Sequence, residues 1–157
     1  LMGYYMRYFI PKLAQAITLP QIRDGLIGID TGYTIQIDST DSNFGDIIYG
    51  ERVLGEIEIN TTGDEIFEEE TEDFLELLSH SKDEKKGIVI ENIQSAGQMV
   101  AVSAVWRDGD ADDADVVHNH LDPLWDWLDA HYEGMLHCDG DGFYHGQSLI
   151  LDMSVRI

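Results

Sequence analysis

Apolar and polar positions recur with strand and helix periods along the first 60 residues. Alternating or aromatic-rich runs, bounded by a proline, a glycine or a turn sequence, predict three strand segments. These segments are residues 4–10, residues 33–38 and a longer run from 47 to 60. Between the first two, Ile22, Leu26 and Ile29 recur at helical spacing behind Pro20, and so predict a short helix.

A strongly acidic helix is predicted next. Thr62 and Glu65 have the spacing of a capping box, and apolar residues recur on one stripe behind them. The other helix positions are mostly glutamate, which indicates a core-facing helix with a solvated acidic back. Two strands are predicted after it, at residues 88–93 and 99–106, and the second is apolar on both faces, as expected of a central strand.

The last third of the chain predicts a second acidic helix and a hairpin. The helix begins near Asp112, and we expect it to break or kink at Pro123 because proline cannot donate a helical hydrogen bond. A fresh helix would start at that proline. Residues 135–138 and 143–155 then form the two arms of a hairpin around a Gly- and Asp-rich turn.

This order of elements predicts an α+β protein with a single domain, residues 1–157. Residues 54–138 alone give the order βαββαβ, which is the split βαβ arrangement of a ferredoxin-like fold. The rest would extend one antiparallel sheet to about six to seven strands with the helices on one face. Residues 57–64 and 103–110 both end in Gly-Asp before an acidic helix, which suggests an internal βαβ repeat.

The net charge of the chain makes two classes of binding partner, nucleic acids and anionic membranes, unexpected. The 157 residues include 9 Lys and Arg against 31 Asp and Glu, a formal net charge of −22. Nucleic acids and anionic membrane surfaces are bound through clustered Lys and Arg, so neither is expected as a partner. The hydrophobic content of 43% indicates a folded chain. The lone cysteine, Cys138, allows no internal disulfide and fits a reducing compartment, so we expect a cytoplasmic protein.

One short motif is relevant to catalysis. Asp30, Thr31 and Gly32 match the Asp-Thr-Gly signature of aspartic proteases, in which two such aspartates share one proton. A single copy would require a homodimer, and Tyr33 after the glycine departs from the small residues of the protease pattern. We favour a helix-to-strand turn in which Gly32 adopts the left-handed conformation. Asp30 remains a weak catalytic candidate.

Two groups of side chains have the chemistry to bind a divalent metal. The candidate ligands are Asp108, Asp110, Asp112, His118, His137 and His145. The aspartates have the spacing of the first ligands of an EF-hand loop, but the glycine and the final glutamate of that loop are missing. The histidines would have to converge from the second helix and the hairpin to form a zinc-type site. Scattered histidines lack ligand spacing, so we expect no cofactor.

The acidic surface predicts a binding function. The candidate interaction residues are exposed glutamates of the first acidic helix and a tryptophan off the apolar stripe of the second. They are Glu68, Glu69, Glu72, Glu76 and Trp125. From them we expect a non-catalytic interaction protein that engages a basic protein surface, since electrostatic complementarity speeds such encounters.

Three alternatives stay open. A metal-binding domain or metal-dependent enzyme would use the aspartate run or the C-terminal histidines, and a dimeric aspartic protease is less favoured. The charge has a competing explanation, because an acidic surface also keeps a protein hydrated in a high-salt cytoplasm.

An open antiparallel sheet has unpaired edges, so we also expect a homodimer.

Overall fold

The structure is a computed structural model that describes residues 2–107 and 109–154. Within those residues the chain forms four helices and an eight-stranded antiparallel sheet, which confirms the α+β class. The strands are β1 (Met2–Pro11), β2 (Tyr33–Ile37), β3 (Phe44–Tyr49), β4 (Arg52–Thr61), β5 (Ala96–Trp106), β6 (Met135–Cys138), β7 (Gly142–His145) and β8 (Ser148–Asp152). The helices are α1 (Leu19–Ile29), α2 (Glu65–Ser79), α3 (Lys86–Gln94) and α4 (Ala111–His131).

Strand β1 lies inside the sheet, between β5 and β6. The strand order is β2-β3-β4-β5-β1-β6-β7-β8, and neighbouring strands are antiparallel. Tyr8 of β1 is opposite Val100 on one side and Leu136 on the other. Strands β5 and β6 therefore run parallel to each other, and α4 carries the chain from one to the other across β1. The interior position predicted for residues 99–106 is confirmed.

Helices pack on both faces of the sheet, so the expectation of helices on one face is wrong. Along β1, Tyr8 belongs to an apolar cluster with residues of α1 and α4, whereas Phe9 belongs to a cluster with residues of α2 and α3. We call these sides the α1/α4 face and the α2/α3 face. Successive strand residues point to opposite sides, so a central strand that is apolar throughout needs cover on both.

The segment predicted as a strand at residues 88–93 is helical and belongs to α3. Val89 and Ile93 are one helical turn apart and buried in the α2/α3 cluster, whereas Ile88 is exposed. A short apolar run rich in β-branched residues does not distinguish a strand from a buried helix. The observed order is therefore β4-α2-α3-β5-α4-β6, and the ferredoxin-like βαββαβ order is not confirmed.

The sheet exceeds the predicted six to seven strands because two predicted strands are each divided by a turn. The run to residue 60 turns at Gly50, which has φ of +63°, and becomes β3 and β4. The second arm of the last hairpin turns at Gly146, which has φ of +60°, and becomes β7 and β8. Positive φ is a conformation that glycine adopts without steric cost. The pairing of β3 with β4 also has a register shift near Gly55, since Ile47 is opposite Gly55 and Ile48 is opposite Val53.

Helix α4 continues through Pro123, so the predicted break is wrong. The proline removes the hydrogen bond that its N–H would donate within the helix. The neighbouring carbonyl of His120 accepts a hydrogen bond from the Tyr33 hydroxyl at 2.7 Å. A side chain of β2 thus supplies a donor to the helix beside the proline, and packing against the sheet holds both halves of α4 in line.

The two acidic helices begin in the same way. Helix α2 has Asp64 as its N-cap, not Thr62 as the capping-box pattern predicts, and α4 has Asp110. The glycine before each cap is left-handed, with φ of +98° at Gly63 and +72° at Gly109. The Gly-Asp pair forms a sharp turn into each helix, although the Asp110 side chain accepts a capping hydrogen bond and the Asp64 side chain does not. The two helices nevertheless lie on opposite faces of the sheet.

Candidate functional site

A cleft of about 540 Å³ lies on the α1/α4 face, between α4 and strands β1, β6 and β7. Aromatic and apolar side chains alternate with carboxylates along its walls. The lining includes Tyr4, Met6, His118, Asp122, Trp125, Asp126, Leu136, Cys138, Asp141 and Tyr144. Among the described residues, no lysine or arginine lines it. The cleft has the size of a small-molecule site and a net negative lining.

One wall of the cleft is a stripe of α4. His118, Asp122 and Asp126 recur at i, i+4 spacing, so their side chains lie on one side of the helix. Trp125 is only 5% exposed and stacks on the buried Tyr8 ring with centroids 6.5 Å apart. The expectation that Trp125 is an exposed interaction residue is therefore wrong, because the tryptophan packs onto the central strand instead.

The opposite wall is formed by the strands. Tyr4 and Met6 alternate onto the same face of β1, and Met6 is opposite Cys138 of β6. The Tyr4 ring meets the edge of the His118 imidazole at 5.1 Å. The Tyr144 hydroxyl donates a hydrogen bond to Asp141 at 3.0 Å. The first contact joins the strand wall to α4, and the second orients Asp141 within the strand wall.

The lining is electrostatically negative. Burial, and then the charge of Asp141, raises the pKa of the Cys138 thiol to about 12. Burial, and then the hydrogen bond to Asp141, raises the pKa of Tyr144 to about 12. The pKa of Asp122 is also raised, by burial, although His118 opposes that rise. The Cys138 thiol is therefore protonated at neutral pH, and a protonated thiol is a poor nucleophile.

Asp30, the candidate protease residue, caps the turn between α1 and β2. Its carboxylate accepts hydrogen bonds from the Gly32 N–H at 2.8 Å and from the Tyr49 hydroxyl at 2.7 Å. These two bonds hold the pKa of Asp30 below its usual value. Gly32 is not left-handed, so that expectation is wrong. A Cβ at Gly32 would lie 2.8 Å from the Tyr49 ring, so the close approach of that ring accounts for the glycine.

Two of the three aspartates proposed as metal ligands, Asp110 and Asp112, lie at the start of α4. Asp108 lies outside the described residues. Asp110 caps the helix by accepting a hydrogen bond from the Asp113 N–H at 2.9 Å, and Asp112 is exposed in the first turn. Asp113 itself is buried and paired with Arg52, whose hydrogen bond holds the pKa of that carboxyl well below its usual range. The sequence analysis missed this buried pair.

The sheet separates His137 from His118, and the three candidate histidines do not converge. His118 lines the cleft, His145 is exposed at the end of β7, and His137 is buried on the α2/α3 face. Phe74 and Phe143 enclose the His137 ring at centroid distances of 4.5 and 4.8 Å. Burial lowers the pKa of His137 to about 4. In the described part of the chain, no group of three His, Cys, Asp or Glu side chains is placed to hold a metal ion.

The candidate interaction residues on α2 lie where the sequence places them. All four glutamates are exposed, at Glu68, Glu69, Glu72 and Glu76. Glu68 also accepts a hydrogen bond from the Gly63 N–H at 2.9 Å, which ties it to the start of the helix. The other side of α2 carries Phe67, Phe74 and Leu78 into the α2/α3 cluster. The predicted acidic back of this helix is therefore confirmed as an exposed surface.

The cleft carboxylates are functional candidates that the sequence analysis did not single out. The i, i+4 spacing of His118, Asp122 and Asp126 was a visible signal for one polar helix stripe. No comparable signal exists for Asp141 and Tyr144, because the pairing of β6 with β1 and β7 decides which wall they reach.

Comparisons with known protein families, with curated proteins and with solved structures found no match to this chain. Among the described residues, no helix has both the length and the apolar content to cross a membrane. The function is therefore argued from the geometry of this chain alone.

Proposed function

We propose that this chain is a non-catalytic acidic binding protein that engages a basic protein surface through the outer face of α2. The observation that carries the proposal is a row of exposed carboxylates along that helix. They belong to Glu65, Glu68, Glu69, Glu72, Asp73 and Glu76. Acidic residues in the first turn stabilise a helix through its dipole, but those in later turns gain little from it.

The row weakens the helix that carries it. Glu68, Glu72 and Glu76 succeed each other at i, i+4, and each like-charged pair at this spacing destabilises a helix by about 0.2–0.5 kcal/mol. Within the described chain, the salt bridge of α2 is between Glu70 and Arg7, at 3.2 Å, so the exposed row is not neutralised internally. A basic partner surface would neutralise the row of carboxylates. Electrostatic attraction would also steer such a partner toward α2 before contact.

The test compares two variants that lose the same amount of charge. In the first, the row is neutralised by Glu68→Gln, Glu69→Gln, Glu72→Gln and Glu76→Gln. In the second, four exposed acids elsewhere are changed, Asp24→Asn, Glu51→Gln, Asp115→Asn and Glu133→Gln. Binding of a ten-residue lysine peptide is measured by fluorescence anisotropy, and pull-downs from the native cell at two salt concentrations identify the partner.

We expect the α2 variant alone to lose affinity for the peptide and to release the partner, while its free energy of unfolding stays the same or rises. Equal losses in both variants would mean that net charge alone attracts the peptide, which contradicts the proposal. Folding that requires molar KCl would support the high-salt explanation of the charge instead. Urea denaturation at several KCl concentrations measures this directly.

Assembly and location are part of the same proposal. Strands β2 and β8 are the outer strands of the sheet, and an unpaired edge is a surface at which a second copy can add. A homodimer and a cytoplasmic location stay predictions, the first to be measured by sedimentation velocity.

A further inference from the structure

The cleft on the α1/α4 face lies on the other side of the sheet from α2, so its ligand is independent of the function proposed above. Its volume of about 540 Å³ falls within the usual range of small-molecule sites, about 300–1,000 Å³. We propose that the cleft binds an aliphatic oligoamine, a methylene chain that carries two or three ammonium groups. Asp122, Asp126 and Asp141 would accept hydrogen bonds from the ammonium groups, and the methylene chain would lie against the rings between them.

Carboxylates line the cleft from two sides. Asp122 and Asp126 lie on α4, one turn or about 6 Å apart along the helix axis. Asp141 lies in the turn between β6 and β7, where the Tyr144 hydroxyl orients it at 3.0 Å. Among the described residues, none of the three forms a salt bridge with lysine or arginine. A cationic ligand would therefore supply these three carboxylates with the positive charge that no described lysine or arginine supplies.

The rest of the lining selects for an organic cation. Tyr4 presents aromatic surface and Leu136 presents apolar surface between the carboxylates. Aromatic faces attract ammonium groups within about 6 Å, and methylene stems pack on apolar surface. A set of acids alone would bind any cation, whereas acids set into an aromatic and apolar cavity favour one with an apolar chain.

Other small ligands match the cleft less well. A metal ion needs several ligands that converge, and the described residues contain no group of three placed to do so. A monoamine would leave two of the three carboxylates without a cationic partner. A phosphate or carboxylate ligand would meet like charge from the three aspartates.

Spermidine is the probe for the test, titrated by isothermal calorimetry at about 0.15 M salt, where weak surface attraction is screened. We expect Asp122→Asn, Asp126→Asn and Asp141→Asn each to weaken spermidine binding about tenfold, and the triple variant to abolish it. All three aspartates are exposed, so the variants are expected to fold, and far-UV circular dichroism checks this. Asp115→Asn is the matched control, since it is exposed on the same helix and outside the lining.

Several outcomes would overturn the inference. Spermidine binding that survives in the triple variant, or that Asp115→Asn weakens equally, would show a diffuse counterion effect. Displacement of spermidine by Mg²⁺ at equal charge would assign the acids to a metal ion. Tighter binding of an arginine-rich peptide to the cleft would assign it to a protein partner.

The experiment also separates this inference from the proposed function. The variant with four neutralised glutamates on α2 should bind spermidine as the unmodified protein does. Loss of spermidine in that variant, with binding retained in the triple cleft variant, would refute the oligoamine site and leave the role of α2 standing.

Discussion

The hydroxyl group of Tyr8 connects the central strand to the end of α4. It donates to the Asp129 carboxylate at 2.8 Å, lies 3.2 Å from the Tyr132 carbonyl oxygen, and accepts from the Gly134 N–H at 3.1 Å. The Tyr8 ring is fully buried and stacks on Trp125. The substitution Tyr8→Phe removes these polar contacts and leaves the packing of the ring in place.

The expected loss follows from those contacts. A hydrogen bond to a charged group contributes about 1.5–3 kcal/mol, and a buried N–H left without a partner costs about 1–3 kcal/mol. Asp129 is partly exposed and regains water in the variant, so the low end of these ranges applies. We expect Tyr8→Phe to lower the free energy of unfolding by about 2 kcal/mol, which is about 4–8 °C in Tm for a chain of this size.

Urea denaturation followed by far-UV circular dichroism measures the loss. Tyr5→Phe is the control, since Tyr5 lies on the same strand with its side chain 48% exposed, and its loss should stay below about 0.5 kcal/mol. Burial raises the pKa of Asp129 and the Tyr8 hydrogen bond opposes that rise by stabilising the carboxylate, so the deficit should shrink in acid, where the carboxyl is protonated. A Tyr8→Phe variant as stable as the Tyr5→Phe control would refute the role of the hydroxyl.

Two further predictions concern packing and pH. In α1, Gly28→Ala should stabilise the protein by about 0.5–1 kcal/mol, because alanine favours a helix and the added Cβ would meet nothing within 4 Å. Gly25→Ala should instead destabilise the protein by about 1–3 kcal/mol, because the added Cβ would clash with the Trp127 ring. Urea denaturation of both variants checks this, and equal effects would contradict it. In the unfolded chain His137 has its ordinary pKa of about 6.5, whereas in the folded protein burial lowers its pKa to about 4. The unfolded chain therefore binds a proton first as the pH falls from 6.5 to 4, and the free energy of unfolding should decrease by up to about 3 kcal/mol over that range. His137→Phe should abolish that contribution in denaturation curves at pH 4 to 7, and an unchanged slope would refute it.

The elements that the sequence predicts correctly have several local signals that agree. Helix α1 combines Pro20 in its first turn with apolar residues at helical spacing, and Thr18 with Gln21 adds a capping box. Helix α3 was mistaken for a strand because its local signal is a short β-branched run. The contacts that fix it as a helix, through Val89 and Ile93, come from elements distant in the sequence.

The site was predictable only in part, for a related reason. The exposed glutamates of α2 follow from the period of a single helix, so their position could be deduced from the chain alone. The cleft needs α4 and the turn between β6 and β7 to meet across β1, and strand register is not visible in one sequence. The acids that enter the cleft from the hairpin, such as Asp141, could therefore not be chosen over their neighbours.

The central position of β1 has a consequence for the order in which the chain can fold during synthesis. Strand β1 leaves the ribosome before both of its neighbours, β5 and β6. It therefore has no native pairing partner until about ninety further residues have been synthesised and β5 is made. Until then, β2, β3 and β4 can pair with one another, but β4 lacks β5, its neighbour on the other side in the complete sheet. The short strands β6, β7 and β8 join the rest of the sheet only through β1. Completion of the sheet therefore depends on the pairing of distant segments, which is intrinsically slow and exposes β1 to mispairing in the meantime.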